Sequence, residues 1–156
     1  MYEIKIENKY GVQLELTHNP NYTVTATGLN PVASNIVTAP VANFGGERYV
    51  SSRQQKRNIV LSIYVHEPVE ANRINLYKYI KSKDWIRIYY KNNTRNVYID
   101  GYVESFELNH FDQRQTAQVS IICPQPNFID MNTNVINNSG VVAMFSFPFY
   151  TLREVR

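Results

Sequence analysis

Three histidines, His18, His66 and His110, one cysteine, Cys123, and thirteen Asp and Glu residues are the side chains of this 156-residue chain that could bind a metal or move a proton. The histidines lie far apart, and no HxxxH or CxxC spacing joins any of these ligands, so the sequence offers no zinc site. Asp100, Glu104, Glu107 and Asp112 crowd into one stretch, but nothing in their spacing turns two of them towards each other as acid and base. There is no GxSxG, no phosphate-cradling glycine loop and no dinucleotide fingerprint; Phe44-Gly45-Gly46-Glu47 reads as a turn. The pattern points away from an enzyme, which would need a cleft of convergent polar groups, and calls for no cofactor or metal.

Binding is the next chemistry to consider. Trp85, Tyr89, Tyr90, Tyr98 and Tyr102 fall on neighbouring expected strands and could make an aromatic platform for a sugar or for single-stranded nucleic acid. Packing across strands, or at a subunit contact, explains the same residues. Arg48, Arg53, Lys56 and Arg57 form one basic cluster; Lys78, Lys81, Lys83, Arg87 and Lys91 form another, interrupted by Asp84. The net charge of +3 is dispersed, which suits a solvated face or a subunit contact better than the concentrated basic stripe of a nucleic-acid binder. Twelve tyrosines favour a surface that meets a partner, since the ring packs while the hydroxyl stays paired.

These residues must be positioned by a core. The length fits one domain, able to bury roughly 70% of its unfolded surface. A lone Cys123 excludes an intrachain disulfide and lies on the apolar side of its strand, as a buried bystander does. No run approaches the roughly 18 apolar residues of a membrane span. Met1-Tyr-Glu-Ile-Lys-Ile-Glu7 carries charges where a signal peptide is apolar, so the expectation is a chain made and folded in the cytoplasm, with no membrane partner.

Period-two alternation then marks the strands. Tyr2, Ile4 and Ile6 and then Val12, Leu14 and Leu16 alternate with polar residues across Asn8-Lys9-Tyr10-Gly11, which is a hairpin. Tyr22 to Thr27 makes a third strand that stops at Gly28. Leu29 to Lys56, with Pro31, Pro40, Gly45 and Gly46, has little periodicity; an excursion of that length is functional or hides short strands. Asn58 to His66 reads as a central strand. From Val69 the spacing changes: Val69, Leu76, Tyr77 and Ile80 share a helical stripe with Glu70, Asn72, Asn75 and Lys78 outside it, Pro68 in the first turn, and Lys78, Lys81 and Lys83 towards the negative end.

Asp84 to Tyr90 alternates again and turns at Asn92-Asn93, residues that tolerate positive φ. The next strand carries Val97, Ile99 and Val103 at odd positions but Phe106 and Leu108 at even ones, which requires a bulge near Glu104 and Ser105. Ala117, Val119, Ile121 and Cys123 return as its partner until Pro124 and Pro126, which have no N–H to donate. Asn127 to Gly140 reads as a loop or linker, and Val141 to Phe149 as an apolar segment without partners of its own. The fold class is mainly β: mostly antiparallel strands with one α-helix.

Several short motifs occur together in one order: Gly28-Leu-Asn-Pro31, Gly45-Gly-Glu-Arg48 with Ser51-Ser52, Arg57-Asn-Ile-Val-Leu61, Arg73-Ile-Asn-Leu-Tyr77, Tyr98-Ile-Asp-Gly-Tyr-Val-Glu104 and Ser120-Ile-Ile-Cys-Pro-Gln-Pro126. That order resembles the distal tail proteins of long-tailed phages, over roughly residues 1 to 130. The resemblance implies a ring-forming N-terminal domain over 1–130, folded as an antiparallel β-sandwich or split barrel with one α-helix, with 131–156 as linker and the start of a truncated or missing C-terminal domain. It also implies a homo-oligomer of six copies in the virion tail tip, assembled in the host cytoplasm. The ring would join the tail tube protein to the tail-tip hub protein and leave a channel through which DNA passes transiently. Such a ring needs a head-to-tail interface that closes. The expected contact is the excursion, with Phe44, Arg48, Tyr49, Val50, Arg53 and Arg57, because its apolar residues must be covered somewhere. A carbohydrate-binding module using the surface aromatics for host attachment is the alternative.

Overall fold

The computed structural model describes residues 1–132. Ten strands and one helix follow in the order β1 (Glu3–Asn8), β2 (Gln13–Glu15), β3 (Tyr22–Thr27), β4 (Ser34–Pro40), β5 (Glu47–Gln54), β6 (Arg57–Val65), α1 (Val69–Tyr79), β7 (Trp85–Lys91), β8 (Asn96–Leu108), β9 (Thr116–Cys123) and β10 (Ile129–Asp130). Seven of them form an antiparallel sheet in the order β2-β1-β7-β8-β9-β6-β3, and β10 adds to the side of β8. The first and last strands of that path do not pair, and the inner face encloses one apolar cluster, so the sheet wraps a core as a sandwich does without closing into a barrel.

The alternation seen in the sequence is the reason. Ile4 and Ile6, Ile59, Leu61 and Ile63, Ile86 and Ile88, and Val119 and Ile121 all point to the inner face and are 3% exposed or less. Each fully buried aliphatic side chain contributes about 1.5–3 kcal/mol relative to exposure. The change of parity in β8 is a bulge: Val103 faces Ile121, but Ser105 faces Ser120, leaving Glu104 as the extra residue. The bulge lets one strand keep Ile99 and Val103 inside at one end and Phe106 and Leu108 partly inside at the other. At Gly101 a Cβ would lie 2.7 Å from Ile121 and 2.9 Å from the Cys123 sulfur, so β8 and β9 approach there as only glycine permits.

Helix α1 covers part of the core through Leu76, with Ile80 just past its end, and Tyr77 meets Phe106 edge-on at 5.3 Å. Two details differ from the expected stripe and turn. Asn72, expected outside, is buried: its side-chain amide donates to the His66 carbonyl, and its backbone carbonyl accepts the Tyr22 hydroxyl at 2.9 Å. The first bond offsets part of the cost of taking the side-chain amide out of water, and the second ties the helix to β3. The turn after β7 needs no positive φ at Asn92 or Asn93, because Asn92 Oδ1 accepts the N–H groups of Thr94 and Arg95; positive φ occurs instead at Asn43 and Lys83.

The irregular excursion is a second, two-stranded sheet of β4 and β5. The expected loop after Asn127 likewise holds the short β10, whose Ile129 and Asp130 pair with Tyr98 and Val97. The apolar segment Val141 to Phe149 lies outside the described residues.

Candidate functional site: an uncovered β-arm and its root

β4 and β5 make an antiparallel hairpin whose register runs from Ser34 opposite Gln54 to Pro40 opposite Glu47. Every residue of β5 is exposed, and all of β4 except the partly buried Ala39. The register slips at Val50, which has no partner across the hairpin: Val37 faces Ser51, and Thr38 faces Tyr49. Alternation therefore sorts the arm into two faces. One holds Ser34, Ile36, Thr38 and Pro40 with Gln54, Ser52, Tyr49 and Glu47; the other holds Asn35, Val37 and Ala39 with Arg53, Ser51 and Arg48.

The arm bonds chiefly to itself. The Tyr49 hydroxyl donates to Ser52 Oγ at 2.8 Å, Thr38 bonds Glu47, and Gln55 donates to the Ala33 carbonyl and to Asn35 Oδ1. Beyond its root, the one hydrogen bond to the body among the described residues is from Asn127 to Gln54 at 3.4 Å. Ile36, Val37, Phe44, Tyr49 and Val50 are 51–79% exposed. A two-stranded ribbon of this kind is marginal in water by itself, and among the described residues its apolar side chains lack the cover that a sheet face normally finds.

Of the residues expected at a subunit contact, Arg48 and Arg53 share one face of this arm, Tyr49 lies on the other, Val50 is the bulge, and Phe44 stands at the tip. Arg57 is different. It begins β6 inside the body, 6% exposed, where its Nε donates to the Pro126 carbonyl at 2.7 Å and its Nη1 to the carbonyls of Gly28 and Asn30, both at 2.6 Å. The guanidinium lies 4.8 Å from the centre of the Phe128 ring. Burial pushes its pKa below the usual arginine value, though a guanidinium stays charged throughout the working range. Among the described residues it is thus buried at the base of the arm, while the other five residues of the expected contact are exposed. Sequence spacing puts it with the basic cluster, and the one sign of its burial is its position in phase with Ile59, Leu61 and Ile63.

The aromatic residues divide as well. Trp85, Tyr89, Tyr98 and Tyr102 share the outer face of β7 and β8, whereas Tyr90 pairs with Val97 and packs against the core. Arg87 occupies the middle of that outer face, 4.3 Å from the Tyr98 ring centre and 5.2 Å from that of Trp85, with a two-pronged bond to Asp100 at 2.6 and 2.9 Å. The Trp85 and Tyr98 rings are thus taken up by a cation of the chain itself, which leaves Tyr102 as the exposed ring of that face. Alongside, the Tyr89 hydroxyl donates to Glu7 at 2.6 Å, and this bond with that from Gln13 lowers the Glu7 pKa.

The other reactive side chains are accounted for by packing and ion pairs. Cys123 is fully buried, and burial pushes its thiol up to about 11. Glu3, Glu15 and His18 gather within 4.8 Å, a grouping that sequence distance hides, but Lys91 and Lys5 reach the same two carboxylates at 3.5 and 4.0 Å. No helix among the described residues is long and apolar enough to cross a membrane.

No family model matches the sequence, and no curated protein matches it. Among solved structures the chain is similar to the SPP1 Dit (gp 19.1) protein, described as a paradigm of the hub adsorption apparatus in phages that infect Gram-positive bacteria. That match has a TM-score of 0.56 at 13% identity over 81% of this chain and 52% of that one. It is also similar to the phage p2 baseplate in its activated conformation, in structures with Sr and with Ca. Both give a TM-score of 0.57 at 12% identity over 84% of this chain and 44% of the other. The chain spans about half the length of the solved structures it matches. The one wrapped sheet with its single helix is a fold that the chain shares with these phage hub and baseplate structures.

Proposed function

We propose that this chain is a structural component of a phage tail tip or baseplate, and that its copies assemble head to tail into a ring, six in number as in the resemblance drawn from the sequence. In this reading the ring connects the tail tube protein to the tail-tip hub protein and leaves a channel for DNA. The protein acts by shape and self-association, without making or breaking a bond. It belongs to the virion tail tip and is assembled in the host cytoplasm. Residues 1–130 are the ring-forming domain.

The observation that carries this reading is the uncovered arm, which leaves the body with Ile36, Val37, Phe44, Tyr49 and Val50 in water. An arm from each copy seated on the next would cover them, and the contact would be heterologous, as ring closure requires. The fold shared with hub and baseplate proteins supports the setting.

Deletion of Val41 to Tyr49 tests it. The shortened chain should keep its circular dichroism spectrum and melting behaviour while running as a monomer by light scattering, where the intact chain gives rings in negative-stain images. Rings of normal size from the deletion variant would refute the role given to the arm.

A further inference from the structure

The arm joins the body through two short connectors, residues 28–33 before β4 and residues 55–56 after β5. Both converge on Arg57. Its backbone follows the second connector directly, and its side chain binds the Gly28 and Asn30 carbonyls of the first. The third carbonyl, that of Pro126, and the Phe128 ring come from the segment after β9, which passes the same point. The guanidinium has no carboxylate partner among the ion pairs of the described residues, so three carbonyls and one ring take the place of a counter-ion.

We propose that Arg57 is the positioning residue that sets the direction in which the arm leaves the body, so that a free copy already presents its arm at the angle its neighbour needs. This deepens the assembly reading above and rests on it for its purpose, though not for its geometry.

The physical case is one of constraint. A buried cation held by three carbonyls cannot drop one of them without leaving desolvated groups unpaired, so the three segments are held as a unit. The guanidinium does this through a planar fork of fixed donors, and an ammonium has neither the fork nor a flat face to lay on Phe128. Gly28 adds a second constraint, since with φ of +82° it lies so close to β6 that a Cβ would be 2.0 Å from the Asn58 carbonyl oxygen. The first connector is thus pressed against β6 at Gly28 and tied by Arg57 at Gly28 and Asn30. Without such a joint an arm with one distant side-chain bond to the body would sweep a wide cone, and each docking would bear the entropy of ordering it.

Electron–electron spin distances read the arm angle directly. Nitroxides are placed on the full-length chain at the arm tip, Asn43→Cys, and on the far side of the body, Glu107→Cys; buried Cys123 stays unlabelled. Labelled chains are diluted into unlabelled ones, so that intrachain distances are read whether or not copies assemble. The expected result is one narrow distance distribution for the parent chain and a distribution at least twice as wide for Arg57→Lys, with near-ultraviolet circular dichroism unchanged. Phe128→Ala, which removes the ring and keeps the three carbonyls, should widen it to a lesser degree and serves as the decisive variant if Arg57→Lys fails to fold. A broad distribution in the parent chain, or a narrow one in the folded variants, overturns the proposal. Rings that are absent while the parent distribution is narrow would sink the assembly reading and leave the joint standing.

Discussion

A methyl group at position 28 would meet the Asn58 carbonyl carbon and oxygen at 3.1 and 2.0 Å while its own backbone sat at a φ that L residues avoid. Gly28→Ala therefore adds a backbone penalty of about 1–2 kcal/mol to a clash with a strand that cannot yield. The expected loss is at least about 2 kcal/mol in urea unfolding, whereas Gly45→Ala, with open space around it, should fall within about 0.5 kcal/mol of the parent. Glu7 offers a pH test. Bonds from Tyr89 and Gln13 lower its pKa in the folded chain below the ordinary 4.5. Their contribution is complete above that ordinary value and is lost as the pH falls through the lower folded value. Glu7→Gln should thus melt below the parent at pH 7, and the gap should close on acidification, as a calorimetric series would show.

At the scale of elements, body and arm obey different rules. A body strand has one wet face and one dry face, and this period made β1, β3, β6, β7 and β9 readable as alternation, and the bulge of β8 readable as a change of parity. The arm has two wet faces, so β4 and β5 impose no alternation, and Ser34 to Gln54 looked irregular although it forms strands of seven and eight residues. β10 escaped notice because two residues are too few to show a period. The burial of Asn72 and Arg57 is hard to read from sequence because partners distant in the chain satisfy their side chains, His66 for the first and Gly28, Asn30 and Pro126 for the second. The same division makes a measurable contrast. Leu61→Ala in the body should cost about 2–5 kcal/mol of unfolding free energy, since it empties a fully buried site. Ile36→Ala on the arm should leave the unfolding free energy of the monomer within about 0.5 kcal/mol and weaken assembly instead, read as a higher concentration for ring formation.

For the whole molecule, head-to-tail closure has a quantitative signature. A ring in which each copy receives one arm and gives one arm is broken by any single copy that gives none. Mixing the Val41 to Tyr49 deletion variant into the intact chain should therefore lower the yield of closed rings much more steeply than in proportion to its share, with open arcs appearing in negative-stain images. A yield that falls only in proportion would mean that the contacts around the ring do not depend on the arm.

The separation of arm from core has a further consequence for lineages of this protein. None of the residues in the buried cluster lies between Ser34 and Gln54, so changes there leave the folding of the body untouched. If copies join through the arm as proposed, arm and receiving surface can drift as a matched set, and two descendants with interchangeable bodies would fold side by side yet decline to mix. On that proposal the hairpin becomes a badge of kinship, sorting like with like.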